Sequence, residues 1–241
     1  MLGLQLYSVR EALAADFEGT LRKVAAIGYR GVELAGIYGE SPDKTTALLA
    51  ELNLTITSAH IGLPLDSAAV DWLTALKVTT WVCAWLPPER FTTLEGIRGV
   101  CDELNTVNAS LQSQGIRLGY HNHHFEFLPL SDGTLPLYRM LEWLDPRIIC
   151  EVDVYWVQSA GVSVVEVLEK LGTRAALLHL KDGPARLDQT QAPMVAAGEG
   201  NIDFKPILAA SKAEHHIVEL DRCATDMLEA VEKSYRYLSA L

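Results

Sequence analysis

The chain has few cationic side chains for its size. Twenty Lys and Arg stand against 31 Asp and Glu, a net charge of −11 over 241 residues, and the basic residues are scattered without a run. So acidic a surface repels phosphate backbones, and nucleic acid is not an expected partner. Cysteine is sparse as well. Cys83, Cys101, Cys150 and Cys223 lie far apart, and none forms a C-x-x-C pair. That spacing argues against a disulfide framework and for buried thiols in a reducing cytoplasm, the expected compartment. No apolar run approaches the ~18 residues of a membrane span, so no membrane association is expected. The apolar stretch Met1–Leu6 lacks a preceding basic region and ends at Ser8-Val9-Arg10-Glu11, too short for a signal peptide. There is no linker, no low-complexity segment and no Gly-rich first turn. What remains is an ordinary globular composition, 49% hydrophobic and 21% charged, and a chain long enough for a large core.

The main positive signal is alternation of short β-branched runs with longer amphipathic stretches. Strands are expected at 2–7, 31–34, 54–59, 78–85, 116–121, 147–154, 175–180 and 216–220. Helices are expected at 11–27, 45–52, 67–76, 94–114, 136–144, 164–171, 204–211 and 225–241. Gly or Pro marks most boundaries, and Ser163 with Glu166 has capping-box spacing. Eight strand–helix units in one chain have the count and length of a (β/α)8 barrel. An open doubly wound sheet would carry glycines in its first turn; here that turn is Tyr7-Ser8-Val9-Arg10. The expectation is a single-domain α/β TIM barrel over residues 1–241.

Barrel catalytic residues sit at the C-terminal ends of strands. Those ends carry Glu33, His60, Trp85, His121-Asn122-His123-His124 with Glu126, Glu151 and Asp153 with Trp156, His179-Leu180-Lys181-Asp182, and Glu219 with Asp221 and Arg222. Strand parity places Glu151 with Asp153, His179 with Lys181, and Glu219 with Asp221 on shared faces. Taken singly, each is more simply a salt-bridge partner or a structural histidine. Asp153, His179 and Glu219 on three consecutive strands form a set that suits one divalent ion, Mn²⁺, Mg²⁺, Co²⁺ or Zn²⁺. A cation also relieves the repulsion of converging carboxylates. Glu33 is read as an orienting group rather than a ligand. Glu151 is expected to pair inside the barrel below Asp153, and Lys181-Asp182 could be a surface pair. Trp85 and Trp156 are packing residues or pocket walls suited to a sugar ring.

Several segments together resemble the xylose isomerase-like barrel superfamily. They are Leu4–Arg10, Gly28–Glu33, Ser58-Ala59-His60, Gly119–Phe127, Glu151–Trp156, His179–Asp182, Gly198–Asp203 and Val218–Arg222. The likeness covers essentially the whole chain and is nearest the sugar phosphate isomerase/epimerase branch. It implies one divalent metal held by Glu126, Asp153, His179 and Glu219, a small-molecule carbohydrate substrate, and a homodimer as the expected assembly. Two features depart from the ketose 3-epimerases of the group. Their fifth-strand Glu is on the strand itself, where this chain has Tyr120-His121, and their His three residues after the sixth-strand Asp is replaced by Trp156. The endonuclease IV branch is disfavoured, because Trp85, Trp156 and Gly198-Glu199-Gly200 stand where its extra histidines are needed.

The implied chemistry is metal-assisted abstraction of a proton alpha to a carbonyl, by an isomerase or epimerase. Glu126 or Glu219 would be the base and Lys181 or His123 the acid. His60, Trp85, His121, Trp156 and Arg222 would bind substrate. The same site would act as a lyase or dehydratase on a keto-sugar, inosose or 3-keto glycoside bearing a beta leaving group. A sugar-binding barrel without catalysis is the third alternative.

Overall fold

The computed structural model describes residues 1–36, 39 and 41–241. Eight parallel strands close in sequence order into a barrel. They are β1 (Leu2–Gln5), β2 (Gly31–Leu34), β3 (Thr55–Ile61), β4 (Thr80–Cys83), β5 (Arg117–His121), β6 (Ile149–Asp153), β7 (Ala175–Leu180) and β8 (His215–Val218). The helices are α1 (Arg10–Ala15), α2 (Phe17–Ile27), α3 (Pro42–Glu51), α4 (Ser67–Ala75), α5 (Leu94–Gln112), α6 (Pro136–Trp143), α7 (Val154–Ser159), α8 (Val164–Leu171), α9 (Phe204–Ala210) and α10 (Met227–Leu238). The chain is therefore a single-domain TIM barrel. No helix among the described residues is long and apolar enough to cross a membrane.

Local sequence sets most helix starts. Asp16, Ser41, Asp66, Thr93, Ser163 and Asp226 each cap a helix by accepting the backbone N–H three residues on, which satisfies a donor that the helix leaves unpaired. Asp16 also corrects the expected continuous helix at 11–27. Its backbone is extended (φ −154°) and its carboxylate accepts from Gly19 N–H at 2.9 Å, ending α1 and starting α2. α7 is an additional helix, absent from the expected elements. Its Val154-Tyr155-Trp156-Val157 run has strand composition, but Asp153 caps it through Trp156 N–H at 3.1 Å.

Between barrel and helices lies the main core, with Trp81, Tyr29, Tyr120, Phe127 and Phe204 fully buried. A smaller apolar cluster includes Val82, Ile149, Leu177 and Ile217. By strand parity Ile149, Leu177 and Ile217 share faces with Glu151, His179 and Glu219, and Val82 pairs in register with His60, so the cluster forms a dry layer within the barrel.

Two register shifts matter for function. Between β6 and β7, Cys150 pairs with Ala175 but Glu151 with Leu177, and the slip brings Asp153 level with His179. Between β2 and β3, Val32 pairs with Ile56 but Glu33 with Ser58. Without these irregularities both acidic residues would face the wrong parity on the next strand.

Candidate metal centre and its cavity

Two polar tiers fill the upper barrel. In the lower tier, Glu33 Oε2 accepts from Gln5 Nε2 at 2.7 Å, Glu33 Oε1 accepts from Ser58 Oγ at 2.6 Å, and His179 Nε2 lies 2.6 Å from Glu33 Oε2. Glu151 Oε2 lies 2.7 Å from His60 Nε2, 3.0 Å from His121 Nδ1 and 3.2 Å from His179 Nε2. In the upper tier, Glu219 Oε2 is 2.7 Å from His179 Nδ1 and Asp153 Oδ2 is 3.6 Å from His121 Nε2. Lys181 Nζ lies 2.8 Å from Glu219 Oε2, 3.0 Å from Asp153 Oδ2 and 2.9 Å from Asp221 Oδ1.

His121 and His179 thus turn one ring nitrogen to each tier. Carboxylates below take the lower N–H of each ring, which leaves a lone pair on His121 Nε2. Burial opposes a charge on His179, but Glu151, Glu219 and Glu33 outweigh it and hold that ring protonated, so a cation there would displace the proton on Nδ1. Carboxylate-backed imidazoles of this kind are typical metal ligands. The ligand atoms of His121, Asp153, His179 and Glu219 all lie within 4.8 Å of one another, and all four residues are buried. Glu151 Oε1 is buried without a hydrogen bond, and buried Asp153 Oδ2 has the Lys181 ammonium at 3.0 Å but no aligned hydrogen bond. One ammonium, Lys181, faces three carboxylates in the upper tier, so net negative charge is left over. These observations fit a divalent cation held by Asp153, His179 and Glu219 with His121 as the fourth ligand. His60, His121, Glu151 and His179 form a second close group. There Glu151 Oε2 is already engaged by three imidazoles, which suits that group to orienting the rings of the upper one.

Glu126, expected as a fourth ligand, is placed elsewhere. It is fully buried in a single 3-10 turn, Phe125–Phe127. The Tyr120 hydroxyl donates a very short hydrogen bond to its Oε1, and His123 N–H donates to Oε2 at 2.9 Å. The turn carries the carboxylate back onto its own strand, and it joins neither ligand group. His121, expected from the sequence to bind substrate, lies in the candidate ligand group and also lines the cavity.

Burial and neighbouring charge set the protonation states. Burial raises Asp153 to about 6 despite Lys181, and raises Glu126 to about 7 despite the Tyr120 hydroxyl. Burial also opposes ionisation of Glu219, but Lys181 and His179 outweigh it and hold that carboxyl well below the usual range. Lys181 is pushed well up, because Asp153, Asp221 and Glu219 together overcome burial. Burial, with His121 and Lys181, drives His123 well down, so its imidazole is neutral at pH 7.

Above the tiers opens a cavity of about 780 Å³. His60, Trp85, His121, His123, Trp156, Lys181, Glu219 and Arg222, all singled out from the sequence, line it; Glu126, Asp153 and His179 do not. The His123 ring stacks on Phe125, with ring centroids 5.3 Å apart. The wall includes Thr190 and Gln191, which belong to the long loop after β7. Asp182 secures that loop, a role that its place beside Lys181 in the sequence does not signal. Its two oxygens accept N–H bonds from Gly183 (2.8 Å), Ile202 (3.1 Å), Gly198 (2.9 Å) and Gly200 (3.0 Å). A Cβ on Gly200 would lie 2.1 Å from Asp182 Oδ1, so glycine is required there. The Gly198–Asp203 motif is thus the receptor for a carboxylate, and Asp182 is not a surface residue.

Fold and site together define a class. The xylose isomerase-like TIM barrel family matches residues 21–215, and the chain belongs to it. A sugar phosphate isomerase/epimerase from Parabacteroides distasonis ATCC 8503 is 26% identical, with a TM-score of 0.86 over 99% of this chain and 93% of that one. Similarity of fold alone extends to a D-allulose 3-epimerase from Methylomonas sp. (15% identity, TM-score 0.72, 99% of this chain and 96% of that one). It extends also to a probable 3-DHS dehydratase from Bacillus anthracis (14%, TM-score 0.77, 99% and 98%). No curated protein matches.

Proposed function

We propose that the chain is a divalent-metal-dependent sugar or sugar phosphate isomerase or epimerase that abstracts a proton alpha to a carbonyl. The observation that carries this reading is the convergence of Asp153, His179, Glu219 and His121 beneath a polar cavity. A divalent ion bound by these four would polarise a substrate carbonyl. Glu219 lines the cavity and is ionised, so it is placed to take the proton. Glu126 is nearer the ideal strength for a base, but its oxygens are engaged by Tyr120 and His123. Lys181 also lines the cavity and is protonated, so it is the acid. The neutral His123 donates a hydrogen bond to a substrate hydroxyl. Glu33 and Glu151 hold the imidazoles in place. The same residues would eliminate a beta leaving group, so the product names the class.

The test is incubation of ketoses, aldoses, their phosphates, inososes and 3-keto glycosides in D₂O with Mn²⁺ or Mg²⁺, followed by NMR. Deuterium should enter alpha to the carbonyl of at least one compound, and chelator or Glu219→Gln should stop it. A shifted carbonyl denotes an isomerase, an inverted centre an epimerase and an alkene a lyase. No exchange across the panel, with a polyol still bound, would favour a non-catalytic sugar-binding barrel.

A further inference from the structure

Tyr7 and Trp85 are the two exposed large aromatic side chains among the described residues, at 42% and 51%. Both line the one cavity above the candidate metal centre. Exposed aromatic surface that recurs at a single rim marks a binding wall rather than chance. Each ring is held on rigid backbone. Tyr7 N–H donates to Gln5 Oε1 at 3.0 Å, and the Arg10 guanidinium lies over its ring at 4.0 Å while donating to Tyr7 O and Asp221 O at 2.7 and 3.2 Å. Trp85 directly precedes Leu86-Pro87-Pro88, and Pro88 starts a 3-10 turn. Pro fixes φ there.

Size and charge restrict what these rings face. About 780 Å³ is in the range of cavities that enclose drug-sized ligands, more than one hexose fills. Among the described residues the wall carries two Lys or Arg side chains, Lys181 and Arg222. Lys181 is committed to three carboxylates. Arg222 spends Nη1 on Thr190 O and Gln191 Oε1, at 3.3 and 3.1 Å. A phosphate dianion would meet one partly engaged guanidinium near Asp221 and Glu219.

We propose that the outer cavity is a second-ring subsite: the substrate is an uncharged glycoside whose carbonyl-bearing sugar reaches Glu219 and Lys181 while its second ring packs on Trp85 and Tyr7. This rests on the carbohydrate reading above. The subsite needs no covalent step, so binding tests it directly.

Calorimetric titration of the full chain with glucose, glucose 6-phosphate, phenyl α- and β-glucosides and cellobiose separates the cases. At least one two-ring ligand should bind at least tenfold more tightly than glucose or glucose 6-phosphate. Trp85→Ala should remove about tenfold of that affinity, and Tyr7→Ala a smaller factor, with glucose binding unchanged. Glu219→Gln should retain the two-ring preference. Tighter binding of glucose 6-phosphate, lost in Arg222→Gln, would overturn the proposal in favour of a phosphate site. So would the absence of any two-ring preference, or affinities indifferent to Trp85→Ala. If solvent exchange fails throughout but the Trp85-dependent preference persists, the proton-transfer reading falls and the subsite stands. Exchange on free monosaccharides without a Trp85 effect gives the reverse.

Discussion

His121 and Glu126 are five residues apart and end in opposite circumstances. The His121 ring lies inside the barrel, pinned by Glu151 from below and facing Asp153 above. The Glu126 carboxylate is closed off by its own loop. Elemental analysis after metal loading should therefore show loss of the ion in Asp153→Ala, Glu219→Ala and His121→Ala, but retention in Glu126→Gln. Retention in His121→Ala with loss in Glu126→Gln would restore the ligand set inferred from resemblance. Glu151→Gln should weaken metal affinity about 10–100-fold, since it holds a ligand without being one. Glu126 also makes a pH prediction. Its folded pKa of about 7 exceeds the ordinary 4.5, so the folded state holds its proton where the unfolded chain has lost it. Stability from this group therefore falls as pH rises from about 4.5 to 7, by on the order of 3 kcal/mol. Urea unfolding at pH 5 and 8 should show a smaller loss for Glu126→Gln than for the parent, and equal losses would refute the assignment.

At the scale of elements, the strand-to-loop transitions do the positioning. Asp153 is the last residue of β6 and the cap of α7, which fixes Oδ1 on Trp156 N–H and leaves Oδ2 for the site. The β7 loop is clasped through Asp182. Asp182→Asn should destabilise by about 2 kcal/mol or more, because an amide presents N–H to N–H. Gly200→Ala should act similarly through the clash. Limited proteolysis in 186–197 should quicken in both, and unchanged cleavage would deny the clasp its role. Gly115 follows α5 at φ +75° with open space around its Cβ position. Ala there should cost about 1 kcal/mol from backbone strain alone, read as a lower melting midpoint. The Val164–Leu171 helix was legible to the residue, because its cap and closing glycine are local signals. The break at Asp16 and the start of α7 were not, because helix propensity and strand composition hid a single capping carboxylate.

For the whole molecule, metal binding should appear as stability. A divalent ion that binds the folded barrel and not the unfolded chain at 100 times its Kd adds about 3 kcal/mol. Mn²⁺ should thus raise the melting temperature of the parent by several degrees and leave Asp153→Ala unmoved; equal shifts in both would place the ion outside the candidate centre. Sequence by itself determined the eightfold strand–helix alternation, the barrel class and the strand ends at which Asp153, His179, Lys181 and Glu219 occur. Those follow from periodicities of two and 3.6 residues and from local caps, which each segment carries alone. Tertiary structure alone decided which of these groups meet. The register slips that set Asp153 beside His179 and Glu33 beside Ser58, the two-faced use of His121 and His179, and the diversion of Glu126 all depend on how neighbouring strands pair. Pairing is a contest between distant segments for hydrogen bonds and burial, and no single segment records its outcome.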